Sequence, residues 1–309
     1  MIAALTLAAC NNAKVPDDYS KSETQPAIYP DYAGTTIPVN IAPLCFMYTG
    51  DATDMVTQIA YQDTEILCSG IKAVPDTDEW KEMLEKAKGA KIDVTVYTEN
   101  NGKWTQHKPF SIDISPDSIN PYISYRLIPP SYVTYEKLTI NQRCLENFDE
   151  SVIYDNMLCS SEGKEQCINC HSYQNYNPDK MQFHARQQNG GTIIAMDGKV
   201  RKINMKHDSL LSAGVYPAWH PHLNLIAYST NHTMQNFHTR DKNKIEVFDT
   251  DSDVILFDTE NNTVMPVSRL KDEMESFPSW SPDGKWLYYC SAKIEFSDSI
   301  GKEYDANTR

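Results

Sequence analysis

Two stretches in the second half of the chain repeat one another. Tyr216-Pro-Ala-Trp-His-Pro-His-Leu-Asn-Leu-Ile-Ala-Tyr-Ser229 lines up with Phe277-Pro-Ser-Trp-Ser-Pro-Asp-Gly-Lys-Trp-Leu-Tyr-Tyr-Cys290. An aromatic residue, Pro, Trp, Pro and an aromatic-rich strand fall in the same places, with a Ser281-Pro-Asp-Gly284 turn in the second copy. A repeat of this kind restricts the fold to arrays in which each copy is one supersecondary unit that buries its faces against its neighbours. Between the copies, residues 244–249 and 253–258 read as strands, the latter ending before an Asn261-Asn262 turn. Ahead of them, residues 192–203 read as a hairpin turning at Asp197-Gly198.

The run Trp280-Ser281-Pro282-Asp283-Gly284-Lys285 resembles the W-S-P-D-G-K turn of TolB-type β-propeller blades. Trp219-His-Pro-His-Leu-Asn224 departs from it by lacking Asp-Gly. The resemblance covers roughly residues 190–300 and implies a fold rather than an activity. Closed propellers hold about 4–8 blades, whereas residues 190–309 would supply two or three. The expectation is a partial propeller whose further blades follow Arg309.

Cys167-Ile168-Asn169-Cys170-His171 is the attachment pattern of a c-type haem. Two thiols three residues apart reach the two vinyl groups of one porphyrin, and the adjacent imidazole then binds the iron axially. His184 is the preferred sixth ligand, with Met181 as the alternative and His238 as a more remote one. Arg186 is placed to meet a haem propionate. Tyr173, Tyr176 and Phe183 would shield the ring, while His220 and His222, in the first repeat's turn, read as structural. A zinc site would need two further ligands at matching spacing, and Cys144 and Cys159 are not a second C-x-x-C pair. A thioredoxin-like redox pair would need a βαβ context that is absent here.

Residues 2–9 are apolar and end at Cys10. Leu7-Ala8-Ala9-Cys10 resembles the lipobox of a bacterial lipoprotein, with Cys10 as the lipidated residue. No basic stretch precedes it, so Met1 is expected to be internal to a longer signal peptide. Residues 11–29 are polar and read as a flexible tether. Residues 30–143 read as a β-rich, sandwich-like domain, with strands at 37–41, 54–60, 65–69, 91–98, 110–114 and 122–128. One amphipathic helix over 79–88 buries Trp80, Met83 and Leu84. Residues 144–189 read as a loop-rich haem-attachment segment that needs a cofactor or disulfides for order, and residues 190–309 as the incomplete propeller. Cys45–Cys68 and Cys144–Cys159 are candidate bridges in an oxidising compartment.

The fold class expected is therefore mainly β. The formal net charge of −14 opposes binding to nucleic acid. The order of lipobox, β-rich region, C-x-N-C-H segment and TolB-like blades resembles a group of Bacteroidetes-type exported proteins. It implies an outer-membrane lipoprotein facing the periplasm or the cell surface. Two functions follow as expectations. One is electron transfer through a single covalent haem c, between a membrane-associated electron donor and a redox partner protein. The other is a TolB-like propeller that binds a protein or glycan ligand, with the haem structural or sensory. The G-x-S-x-G, H-E-x-x-H and P-loop motifs are absent, so a carrier or binding protein is expected before an enzyme.

Overall fold

The computed structural model describes residues 13–128, 137–161, 163–240, 242 and 244–293, and the short strands Phe296–Ser297 and Glu303–Tyr304. The chain is mainly β, arranged in several sheets. It divides into two compact units, Met1–Ser124 with Gln142–Ser151, and Tyr125–Asn141 with Val152–Arg309.

The first unit is built on the strand Lys91–Asn100. Ile92, Val94 and Val96 alternate with polar residues and are buried, as the two-residue period of a one-sided strand requires. Asp54–Tyr61 pairs along one edge of this strand; Phe110–Ser115 and Lys103–Gln106 share the other. Asn101 and Gly102, at φ 53° and 77°, make the tight turn into Lys103–Gln106. The helix Thr77–Lys86 starts where Asp76 caps the amides of Asp78 and Glu79, a cap worth about 1 kcal/mol. It buries Trp80, Met83 and Leu84 in one core with the sheet. The strands Ile28–Tyr29, Phe46–Tyr48 and Lys72–Ala73 form a small second sheet that adds Ile28, Phe46 and Ala73 to that core. The helix and this small sheet together stand where a sandwich would have its second large sheet.

In the second unit Gln166–Tyr173, Lys180–Gln187, Gly191–Met196 and Lys199–Ile203 form a four-stranded antiparallel sheet in chain order. Val215–Trp219, Leu225–Phe237, Ile245–Asp258 and Thr263–Ser268 form a second one in the same order. Glu273–Trp280 and Leu287–Lys293 then make a terminal hairpin. The boundary expected at residue 190 falls inside the first sheet, and half of the segment expected to be loop-rich is strand. Glu150–Asp155 and Gln166–Tyr173 lack the apolar alternation that marks a strand in sequence, whereas Lys180–Gln187 has it in Met181, Phe183 and Ala185. The segment's order comes from cross-strand pairing and from Asn156, whose Nδ2 donates to the Gln166 carbonyl at 2.8 Å and whose Oδ1 accepts from the Leu138 amide at 2.8 Å. The strands expected at 244–249 and 253–258 are one continuous strand, Ile245–Asp258.

The seven described cysteines are thiols, so neither candidate bridge is formed. Cys45 Sγ instead donates to the Pro43 carbonyl at 3.6 Å, and Cys68 is buried in the core of the first unit. Among the described residues no helix is long and apolar enough to cross a membrane.

Candidate functional site

The C-x-x-C-H motif lies wholly on the strand Gln166–Tyr173. Across the ladder Cys167 faces Arg186 and Asn169 faces His184. Side chains alternate along a strand, so Cys167, Asn169, Gln182, His184 and Arg186 share one face, which Thr192 and Ile194 continue. Met181 and Phe183 point to the opposite face, into a core with Ile168 and Ala185. Cys167 is buried, and burial pushes its thiol up while the guanidinium groups of Arg186 and Arg126 oppose the shift. Arg126 Nη1 donates to the Ile168 carbonyl at 3.1 Å. His184 is also buried, with Nδ1 3.2 Å from Thr192 Oγ1. Burial first, and Arg186 second, hold its imidazole down at about 4.

The ladder slips between Asn169 and Ser172, where Cys170 takes φ 57° and His171 is half-buried. Gln182 Nε2 secures this bulge, donating to the Cys170 carbonyl at 2.5 Å and to Ser172 Oγ at 3.1 Å. Gln182 Oε1 accepts from the Tyr228 hydroxyl at 3.4 Å.

A covalent haem needs both thiols and the imidazole on one face with open space for a flat porphyrin. On the face that Cys167 and His184 share, Gln182 and Ile194 meet the second sheet. Gln182 bonds to Tyr228, and Ile194 is buried with Trp219, Tyr228 and Ile255. His184 is engaged with Thr192, Met181 lies on the other face, and His238 pairs with Glu246 at 3.2 Å. Of the expected axial ligands, His184 and Met181 thus stand on opposite faces of the strand, and His171 lies at the bulge. Among the described residues, no group of three or more His, Cys, Asp or Glu side chains is placed to hold a metal ion. Cys10 lies outside the described residues.

The bulge is not peculiar to the motif. The ladder slips again between Val215 and Ala218 and between Ser276 and Ser279, with Tyr216 at φ 50° and Phe277 at φ 59°. Cys170-His-Ser-Tyr-Gln174 is thus a third copy of Tyr216-Pro-Ala-Trp-His220 and Phe277-Pro-Ser-Trp-Ser281. Tyr173, standing where the other copies have Trp, is the trace of it in the sequence.

The fifth residue of a copy reaches the turn of the next. Gln174 Nε2 donates to the carbonyls of His220 and Leu223, at 2.8 and 2.7 Å. His220 Nδ1 accepts from the amides of His222 and Leu223, at 3.0 and 2.9 Å. That leaves the ring proton on Nε2, which donates to the Gly284 carbonyl at 3.0 Å. A Cβ on residue 284 would lie 2.5 Å from the His220 ring, so this approach needs glycine. His220 is structural, as expected.

At the bulges, the Tyr216 and Phe277 rings lie 4.8 Å apart and are 44% and 55% exposed. Burial of part of the ring raises the Tyr216 phenol, with smaller contributions from the nearby Asp249 carboxylate and Cys170 thiol. Asp249 accepts from Asn231 Nδ2 and Thr233 Oγ1, each at 2.7 Å. A thiol, two exposed aromatic rings and a carboxylate therefore gather at one rim. Sequence reasoning missed Tyr216, Asp249, Gln174 and Gln182.

No protein-family model matches the chain, and no curated protein matches it. A solved structure, an oligogalacturonate lyase in complex with manganese, is similar over 54% of this chain and 52% of its own, at 14% identity and a TM-score of 0.24. The chain spans about half of that structure's length, and at this score the likeness says nothing about fold or activity.

Proposed function

We propose that the second unit is part of a β-propeller that serves as a binding module, with the bulge rim of Cys170, Tyr216 and Phe277 as its ligand surface. One observation carries this: three non-glycine residues sit in the left-handed region at the same repeat position. Such a backbone costs on the order of 1 kcal/mol or more per residue, and strain of that kind gathers at binding sites. Of the two ligand classes, protein and glycan, the rim suits the glycan. Tyr216 and Phe277 offer rings to the apolar face of a sugar, and Asp249 can accept from its hydroxyls. A lipid tether at Cys10 would hold the module at the outer membrane. The test is saturation-transfer NMR of the protein with a panel of neutral oligosaccharides. Transfer to at least one sugar is expected, with affinity about tenfold lower in Tyr216→Ala or Phe277→Ala. No transfer to any sugar, or transfer untouched by both substitutions, defeats the glycan reading.

The C-x-x-C-H motif itself favours a second reading, a haem-bearing electron carrier. Protein co-expressed with a haem-attachment apparatus decides it by intact mass. On the binding-module reading the mass is that of the polypeptide alone. A gain of one haem that needs both Cys167 and Cys170 would restore the carrier.

A further inference from the structure

The two central strands of the second sheet run far past their neighbours. Val215–Trp219 pairs no further along than Ser229, and Thr263–Ser268 no further than Val254. The central pair continues beyond a register slip at His232 and Thr233, from Thr233 opposite Asp249 to Phe237 opposite Ile245. This is a two-stranded arm, and among the described residues no strand pairs with either of its outer edges. A lone ribbon is at best marginally stable in water. This one also exposes Met234, Phe237 and Val247, at 46%, 67% and 58%. Free edges flanked by apolar side chains are templates for another strand.

The charge of the arm says which strand. Its loop, residues 239–244, carries Arg240, Lys242 and Lys244 against one acid, Asp241, in a chain of net charge −14. The three basic residues are exposed. Behind them Glu246 lies 3.2 Å from His238, and Asp249, farther down the arm, accepts from Asn231 and Thr233. The tip is therefore a local positive site on an acidic protein, able to attract an anionic partner over about 10 Å.

We propose that the arm docks an extended, acidic segment of a partner protein, which adds as a third strand with its carboxylates against Arg240, Lys242 and Lys244. Main-chain hydrogen bonds along the edge hold the segment, and Phe237 and Val247 meet its alternate side chains. This docking is independent of the bulge rim and does not require a glycan ligand.

The test is fluorescence anisotropy of the full chain with two labelled synthetic peptides, one alternating Glu and Val, the other Lys and Val. The acidic peptide binds and the basic one does not. Its affinity falls as salt rises from about 50 to about 300 mM, and by about tenfold or more in Arg240→Ser/Lys242→Ser/Lys244→Ser. The proposal is overturned if the acidic peptide does not bind, if both peptides bind alike, or if the triple substitution changes nothing. Arm-dependent sedimentation with phosphatidylglycerol vesicles, or an arm-dependent dimer by ultracentrifugation, in place of peptide binding would give the arm to a lipid surface or to a second copy.

Discussion

The two faces of the second sheet are built on different principles. The face toward the first sheet is dry: Trp219, Ile226, Tyr228, Ile255 and Phe257 pack with Ile194 and Met205. The face toward the terminal hairpin is lined by buried hydroxyls and an amide. Ser276 Oγ and Ser252 Oγ are 2.8 Å apart, the Phe277 amide donates to Ser229 Oγ at 3.0 Å, and Asn231 Nδ2 lies 3.5 Å from Ser276 Oγ. Apolar burial scales with area and has no direction, whereas hydrogen bonds fix geometry and add little net stability. The dry face should hold the sheets together, and the polar face should set how the hairpin seats. The sharpest way to break the contrast is Phe257→Ala, which deletes a fully buried ring from the dry face. It should cost about 3–5 kcal/mol, read from the urea midpoint of the unfolding transition that reports the second unit.

The first sheet carries a buried titratable group. His184 lies on the face of the first sheet that carries Ile194, and its imidazole is held at about 4. The unfolded chain, with histidine near 6.5, binds more protons between those values, so stability rises with pH there. The contribution is complete above about pH 6.5 and is lost as pH falls toward about 4, a swing of about 3 kcal/mol. Denaturant midpoints measured across that window should flatten in His184→Gln, which keeps a polar group beside Thr192. An unchanged slope would mean that His184 is not held buried and uncharged in the folded unit.

What was legible in the sequence follows the same division. The strand over 91–98 and the helix that buries Trp80, Met83 and Leu84 announce themselves because one face of each is apolar and the other is not. The hairpin at Asp197-Gly198 was legible because its turn residues need positive φ, and both have it. The segment around Cys167 was not. Cys-Ile-Asn-Cys-His-Ser-Tyr has no alternation, and its pairing is fixed by Gln182, Asn156 and Arg126, contacts no local pattern encodes. The repeat within it left one visible sign, Tyr173 in the place of Trp219 and Trp280. The rim residues were missed for a related reason. A non-glycine residue at positive φ leaves no mark in sequence, and Tyr216 and Phe277 read as ordinary aromatic members of the repeat.

The link between successive turns gives a prediction of middle size. Gln174→Ala removes a donor shared by two carbonyls, that of His220 buried and that of Leu223 partly so, without touching either core. It should cost about 2 kcal/mol. Because His220 depends on the same turn, hydrogen exchange at the His222 and Leu223 amides should quicken more than exchange at Ile226 or Phe257. Uniform quickening would mean that the turns are not linked in series.

The smallest effect tests the polar face directly. Ser252→Ala removes the acceptor of the Ser276 hydroxyl, one hydrogen bond between neutral groups. The loss should be about 1 kcal/mol. Replacing both serines, Ser252→Ala/Ser276→Ala, removes donor and acceptor together and should cost no more than the single change, since no group is left orphaned. Seating of the hairpin should loosen all the same, seen as faster exchange of the Phe277 amide at nearly constant midpoint. If the single substitution instead destabilises the unit as much as Phe257→Ala, the hydroxyl face is a core in its own right and the contrast between the two faces fails.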